Sequence, residues 1–161
     1  MNIYFGLGSN LGNRLGNLRE ALEKLRTLGR VVKCSSVYET PAWGGVPQPD
    51  YLNACVRVEG EGLEALGLLR KVKGIERELG RVESVRWGAR KIDVDILLMD
   101  EEVYHSEELD VPHVRIAERM FVLVPLGEVL PEGWRHPVSG RSVGEMISEL
   151  GEEWPVRVGE L

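Results

Sequence analysis

Residues 51–59 read YLNACVRVE, and the alternation in that stretch decides the fold. Leu52, Ala54, Val56 and Val58 recur at period two, which predicts a strand with Tyr51, Asn53, Cys55 and Arg57 on its opposite face. Immediately upstream, residues 40–50 contain Pro41, Gly44, Gly45, Pro47 and Pro49, too many breakers for regular structure, so a shaped loop leads into the strand. Residues 31–39 alternate like a second strand before that loop. Downstream, Leu63, Leu66, Leu69, Val72, Ile75 and Leu79 fall at helical spacing until Gly80 stops them. Further out, residues 2–7 read as a strand. Asn13 then caps a helix carrying Leu15, Leu18, Leu22, Leu25 and Leu28 up to Gly29, and residues 92–99 supply a fourth strand. The order β-α-β-β-α-β predicts an α+β, ferredoxin-like antiparallel sheet with both helices packed on one face and the other face left for a ligand. C-terminal additions follow: an acidic loop, a helical segment around residues 114–130 and a short helix near residues 143–150.

Composition narrows the function classes. With 161 residues, 43% of them hydrophobic and 29% charged, the chain predicts one domain over residues 1–161. A net charge of -6 argues against a nucleic-acid partner. The longest apolar run, residues 120–126, is broken by Pro125 and is far short of the roughly 18 residues a membrane span needs. No basic leader opens the chain, so a cytoplasmic location is expected, and the protein is expected to be a monomer. Cys34 and Cys55 match no metal or redox spacing and read as small buried apolar residues. Charge is unevenly placed: between Arg70 and Lys91 stand eight Lys or Arg against three Glu, whereas residues 100–110 hold six acids and no cation. Arginines concentrated in the loop half of the basic stretch point to a polyphosphate ligand rather than a merely solvated helix face.

The chemistry centres on KIDVDILLM, residues 91–99. Period two sends Ile92, Val94, Ile96 and Leu98 toward the core and sets Asp93 and Asp95 about 7 Å apart on the other face. Two hard carboxylates so placed suit magnesium, whose remaining ligands come from water and substrate phosphates. Arg86, Trp87, Gly88 and Arg90 lie just upstream, supplying cations, an aromatic plate and a joint that together suit phosphoryl transfer. His113, after Pro112 and before Arg115 and Arg119, is placed for phosphate contact. The N-terminal FGLGSNLG is not a dinucleotide fingerprint, because Leu11 stands where its third glycine belongs, and no P-loop occurs. Ser9 and Asn10 read instead as a turn that buttresses a pocket. On residues alone, a metal-dependent nucleotidyl or glycosyl transferase and a non-catalytic ferredoxin-like module remain alternatives.

Three segments taken together decide among these: QPDYLN at residues 48–53, RWGARKIDVDI at residues 86–96, and Val111-Pro112-His113 followed by Arg119 and Phe121. In order and separation they resemble the 6-hydroxymethyl-7,8-dihydropterin pyrophosphokinase family, over about three quarters of the chain. The resemblance implies transfer of the pyrophosphoryl group of ATP to the pterin hydroxymethyl group, with AMP released. It implies a pterin site made of Tyr51 and Phe121 stacking on the ring, Asn53 at its edge, backbone around Thr40, Pro41 and Trp43, and Trp87 closing over it. ATP contacts are implied for Lys73, Arg86, Trp87, Arg90, His113 and Arg119, with the backbone at Ile96 beside adenine. Asp93 and Asp95 are implied to hold two Mg2+ ions, and Arg81, Arg90, Asp93 and Asp95 to act in catalysis. Arg81 matches the first of two arginines common in the family's mobile loop, while Glu83 stands in place of the second, in a loop one residue shorter.

Overall fold

A computed structural model describes residues 1–42, 45, 47–80 and 89–161. In chain order its elements are β1 (Asn2–Ser9), α1 (Arg14–Leu25), β2 (Arg30–Cys34), β3 (Ser36–Thr40), β4 (Tyr51–Glu59), α2 (Ala65–Glu78), β5 (Asp93–Met99), β6 (Tyr104–His105), β7 (Asp110–Val111), a 3-10 turn (Ile116–Glu118), α3 (Met120–Val129), α4 (Val143–Leu150) and β8 (Val156–Glu160). The main sheet runs β5-β1-β4-β3-β8, with β2 also on β4, and its strand pairs are antiparallel. The ferredoxin-like order is therefore present, extended by β8 at one edge. Among the described residues no helix is long and apolar enough to cross a membrane.

Period two divides the sheet between two cores. Ile3, Phe5 and Leu7 of β1 and Leu52, Ala54, Val56 and Val58 of β4 pack with Leu18, Leu22 and Leu25 of α1 and Leu68, Val72 and Ile75 of α2. Their neighbours Tyr4 and Cys55 point the other way, onto Val122, Leu123, Leu126 and Val129 of α3 and Met146 of α4. From sequence this second face is expected to be free for a ligand, but the fold covers part of it with α3 and α4. Helix α3 covers part of it because seven of its ten residues are apolar and buried, and an apolar helix needs cover on more than one side. Fully burying a side chain such as Leu123 contributes about 1.5–3 kcal/mol. The open part of that face lies at the N-terminal end of α3.

Local differences from the sequence reading have physical causes. The single strand expected over residues 31–39 is interrupted at Ser35. That residue is buried, its N–H donates to Cys55 O at 2.9 Å, and its hydroxyl accepts from Cys55 N–H at 2.8 Å, so a side chain enters the ladder. Helix α1 is capped by the Asn13 side chain, which accepts from Gly16 N–H at 3.0 Å. It ends at Leu25 rather than reaching Leu28, because the Thr27 N–H and hydroxyl both turn back onto Lys24 O. In β5, Tyr4 pairs with Leu98 while Phe5 pairs with Ile96, so Leu97 is an extra, bulged residue. The bulge sends Leu98 into the second core, against the expected alternation, and lets Met99 fill the first. Of the two cysteines only Cys55 is buried; Cys34 is half-buried, and both are free thiols. The helix expected around residues 114–130 begins only at Met120, after the 3-10 turn.

Candidate active site

A cavity of about 300 Å³ opens where β1, β4 and β5 pass the start of α3. Asp93 and Asp95 line it from β5, opposite Gly8 and Gly6 of β1 in the strand register. No β1 side chain therefore competes for the space beside the carboxylates. At Gly8 the need is sharper, since a Cβ there would lie 3.0 Å from Asn53 Oδ1. The peptide between the two aspartates is held from outside the sheet: Val94 N–H donates to Glu76 Oε2 at 2.9 Å, and Glu76 Oε1 pairs with Lys73 Nζ at 3.2 Å. Glu76 is buried at 3% exposure, where a carboxylate needs such partners.

On the neighbouring wall Tyr51 and Asn53 project from β4, joined by Thr40, Pro41 and Phe121. Asn53 Nδ2 donates to the Thr40 hydroxyl at 3.2 Å, which orients its amide. The Arg119 guanidinium carbon lies 5.6 Å from the Phe121 ring centroid, a cation–π contact that fixes both groups at the start of α3. Two aromatic rings and an oriented amide in one small cavity suit a flat, polar-edged heterocycle. Cys55 also lines the cavity, but burial raises its thiol pKa well above the usual range, so it stays protonated and apolar.

The third wall is cationic or hydrogen-bond donating. Arg90, His113 and Arg119 all line the cavity. The loop bearing His113 is hooked to the bulge, its N–H donating to Leu97 O at 2.9 Å after a cis Val111–Pro112 bond. Burial, with Arg119 and Arg115 nearby, pushes the His113 pKa down to about 4, so the ring is neutral near pH 7. Its Nδ1 accepts from Arg115 N–H at 3.1 Å, which places the proton on Nε2. Burial also lowers the Arg119 pKa, while the charges of Asp95 and Asp93 oppose that shift. Arg119 Nε is buried with no hydrogen-bond partner among the described residues. A buried guanidinium donor without an acceptor is matched by an anionic ligand oxygen.

Asn10 ties these walls together. Fully buried, it donates from Nδ2 to Gln48 Oε1 at 2.8 Å and to Pro49 O at 3.0 Å, and its Oδ1 accepts from Arg90 N–H at 2.7 Å. Ser9 is braced in turn by Asn17 Nδ2 at 3.1 Å. Contrary to the expected turn, Ser9 is the last residue of β1, paired with Leu52; the buttressing itself comes from Asn10, just beyond the strand.

Of the residues singled out from sequence, the fold brings Thr40, Pro41, Tyr51, Asn53, Arg90, Asp93, Asp95, His113, Arg119 and Phe121 to one cavity. The Ile96 side chain is buried in the first core, leaving only its backbone for a ligand. Lys73 sits on Glu76 rather than at the cavity wall. Trp43, Arg81, Arg86 and Trp87 lie outside the described residues. Sequence reading missed Glu76, although its spacing from Val72 puts a carboxylate on the core face of α2 and was a usable signal. For a metal, no cluster of three or more His, Cys, Asp or Glu occurs among the described residues. Asp93 and Asp95 thus form a two-carboxylate donor set, which fits a magnesium ion completed by phosphate oxygens and water.

The family model described as 7,8-dihydro-6-hydroxymethylpterin-pyrophosphokinase matches residues 4–131. The 2-amino-4-hydroxy-6-hydroxymethyldihydropteridine pyrophosphokinase of Aquifex aeolicus is 40% identical over 147 residues, covering 91% of this chain and 91% of that protein. The Bacillus subtilis protein of the same name is 44% identical over 146 residues, covering 89% of this chain and 87% of its own. Among solved structures, Plasmodium falciparum HPPK-DHPS superposes with a TM-score of 0.74 at 16% identity, which speaks to the fold alone. This chain spans 43% of the length of that solved chain and is itself covered to 92%.

Proposed function

The chain belongs to the 7,8-dihydro-6-hydroxymethylpterin-pyrophosphokinase family, and from that premise we propose how its cavity moves the pyrophosphoryl group of ATP onto 6-hydroxymethyl-7,8-dihydropterin, a step of folate biosynthesis. The observation that carries the reading is one cavity holding an aromatic and amide wall, a carboxylate pair and a cationic wall. A sugar acceptor gives no reason for two aromatic rings, and a passive binding module gives none for the carboxylates beside the arginines.

In this proposal Tyr51 and Phe121 hold the flat pterin and Asn53 reads its polar edge. Arg90, Arg119 and the His113 Nε2–H bind phosphate oxygens. Asp93 and Asp95 would hold two magnesium ions, which when bound would neutralise charge on the triphosphate. The chain's own contribution is to fix the pterin hydroxyl in line with Pβ, so that it attacks there and AMP departs. Such positioning can lower a barrier by about 7–11 kcal/mol. Preset donors toward the developing phosphate charge add to it without reorganising as the reaction proceeds. Arg81, Arg86, Trp43 and Trp87 complete the proposed substrate contacts, on the strength of the family resemblance; Lys73, held on Glu76 away from the cavity wall, would meet ATP only outside the cavity. The same reading takes residues 1–161 as one domain acting as a cytoplasmic monomer on small-molecule substrates, without a nucleic-acid or membrane partner, in keeping with the acidic net charge of -6.

Calorimetric titration with a non-hydrolysable ATP analogue, with and without magnesium, tests the carboxylate assignment. Binding that strengthens at least tenfold with magnesium is expected. Affinity indifferent to magnesium would overturn it in favour of a non-catalytic module.

A further inference from the structure

We propose that Arg14, which does not line the cavity, is a positioning residue for pterin recognition: a clasp that ties the end of β3 at Glu39 to Asp50, the residue before β4. The inference rests on the pterin reading of the wall carrying Tyr51 and Asn53.

Arg14 opens α1, and no acid stands in the first turn of that helix. A cation there faces the positive end of the helix dipole, an unfavourable place for it. Its guanidinium instead reaches the sheet. Nη1 donates to Glu39 Oε2 at 2.6 Å and to Asp50 O at 2.9 Å. Glu39 is the penultimate residue of β3, and Asp50 directly precedes β4. One cationic nitrogen therefore holds together the two strand ends that flank residues 41–50, ten residues with three prolines and two glycines.

The gripped ends are the ones that matter for recognition. The β3–β4 ladder terminates at the pair Thr40↔Tyr51, and both residues line the cavity, as does Asn53, which is bonded to the Thr40 hydroxyl. The open end of a ladder frays first, and fraying here displaces the stacking ring and the hydroxyl that orients the amide. Arg14 adds a charge-assisted bond where the ladder stops, in a half-buried setting with side-chain exposures of 30% and 33% for Arg14 and Glu39. The Asn10 contacts to Gln48 and Pro49 hold the residues just before β4 to the β1–α1 connection that ends at Arg14. Arg90, Asp93 and His113 lie on other elements, so losing the clasp leaves the ATP wall in place.

The test uses the full chain with Arg14→Gln, Glu39→Gln and the double variant. Pterin affinity is read by direct titration, and KM is measured for each substrate. Each single variant is expected to weaken pterin binding about tenfold, the loss typical of one charge-assisted hydrogen bond. The double variant should be little worse than Arg14→Gln alone, because that variant already breaks the contact to Glu39. KM for ATP and kcat should stay within about threefold, which also shows that the variants fold. Unchanged pterin affinity, equal losses for both substrates, or additive losses in the double variant would each overturn the clasp. A native protein that binds ATP but no pterin overturns the substrate reading and the clasp with it; normal native binding with unaffected variants overturns the clasp alone.

Discussion

The Glu76 carboxylate accepts a hydrogen bond from Val94 N–H at 2.9 Å, on the peptide that joins Asp93 to Asp95. Strand β5 pairs only with β1 among the described residues, so this N–H faces outward, and a side chain from α2 takes the place of a neighbouring strand. Replacing Glu76 with Gln keeps an oxygen acceptor there, whereas Leu removes it. Glu76→Leu is expected to lower kcat by about tenfold or more and to speed hydrogen exchange at the Val94 amide, because the stranded N–H costs about 1–3 kcal/mol. Glu76→Gln should retain most activity. Equal losses in the two variants would assign the role to the charge and not to the acceptor.

Asp95→Ala should abolish turnover while leaving pterin affinity within about threefold of native. The carboxylate lines the cavity beside the aromatic wall but makes no part of that wall. Normal turnover in this variant, measured by product formation, would remove the metal assignment.

Tyr51→Ala and Phe121→Ala should each weaken pterin binding by about 1–3 kcal/mol, roughly 5- to 150-fold, from lost stacking and burial. ATP affinity should change little for Tyr51. For Phe121 it should fall modestly, because that ring supports Arg119 at 5.6 Å. Separate titrations with each ligand check the split.

His113 gives the protein a pH dependence of known sign. Its folded pKa, about 4, lies below the ordinary value of 6.5, so between those limits the unfolded chain binds the extra proton. The associated stability is present above pH 6.5 and is lost as pH falls toward 4, a change on the order of 3 kcal/mol at most. Urea unfolding of native and His113→Gln proteins at pH 7 and pH 4.5 should show the native protein losing more stability over that interval. Parallel losses would contradict the buried, neutral imidazole.

Much of this was legible in the sequence, for reasons that can be named. Strand β4 was readable because Leu52, Ala54, Val56 and Val58 alternate without interruption, and Asn13 was readable as a cap because its short side chain has one obvious use before an apolar helix. The same alternation placed Tyr51 with Asn53, and Asp93 with Asp95, on single faces. What escaped depends on contacts between distant segments. Ser35 splits a strand only because Cys55, twenty residues on, meets its hydroxyl. Leu98 changes sides only because β1 pairs with β5 out of step at Leu97. Strand β8 escaped because its five residues leave Val156 and Val158 exposed, so no buried face patterns them. Helix α3 could be placed roughly but not docked, since an apolar stretch carries no stripe to say which side faces the sheet.

The central claim is tested most directly by incubating the purified protein with ATP, magnesium and 6-hydroxymethyl-7,8-dihydropterin and separating the adenine nucleotides. The account predicts AMP, formed only when pterin is present and in equal amount to the pterin diphosphate. Pterin-dependent ADP, or no pterin-dependent nucleotide product, would contradict it.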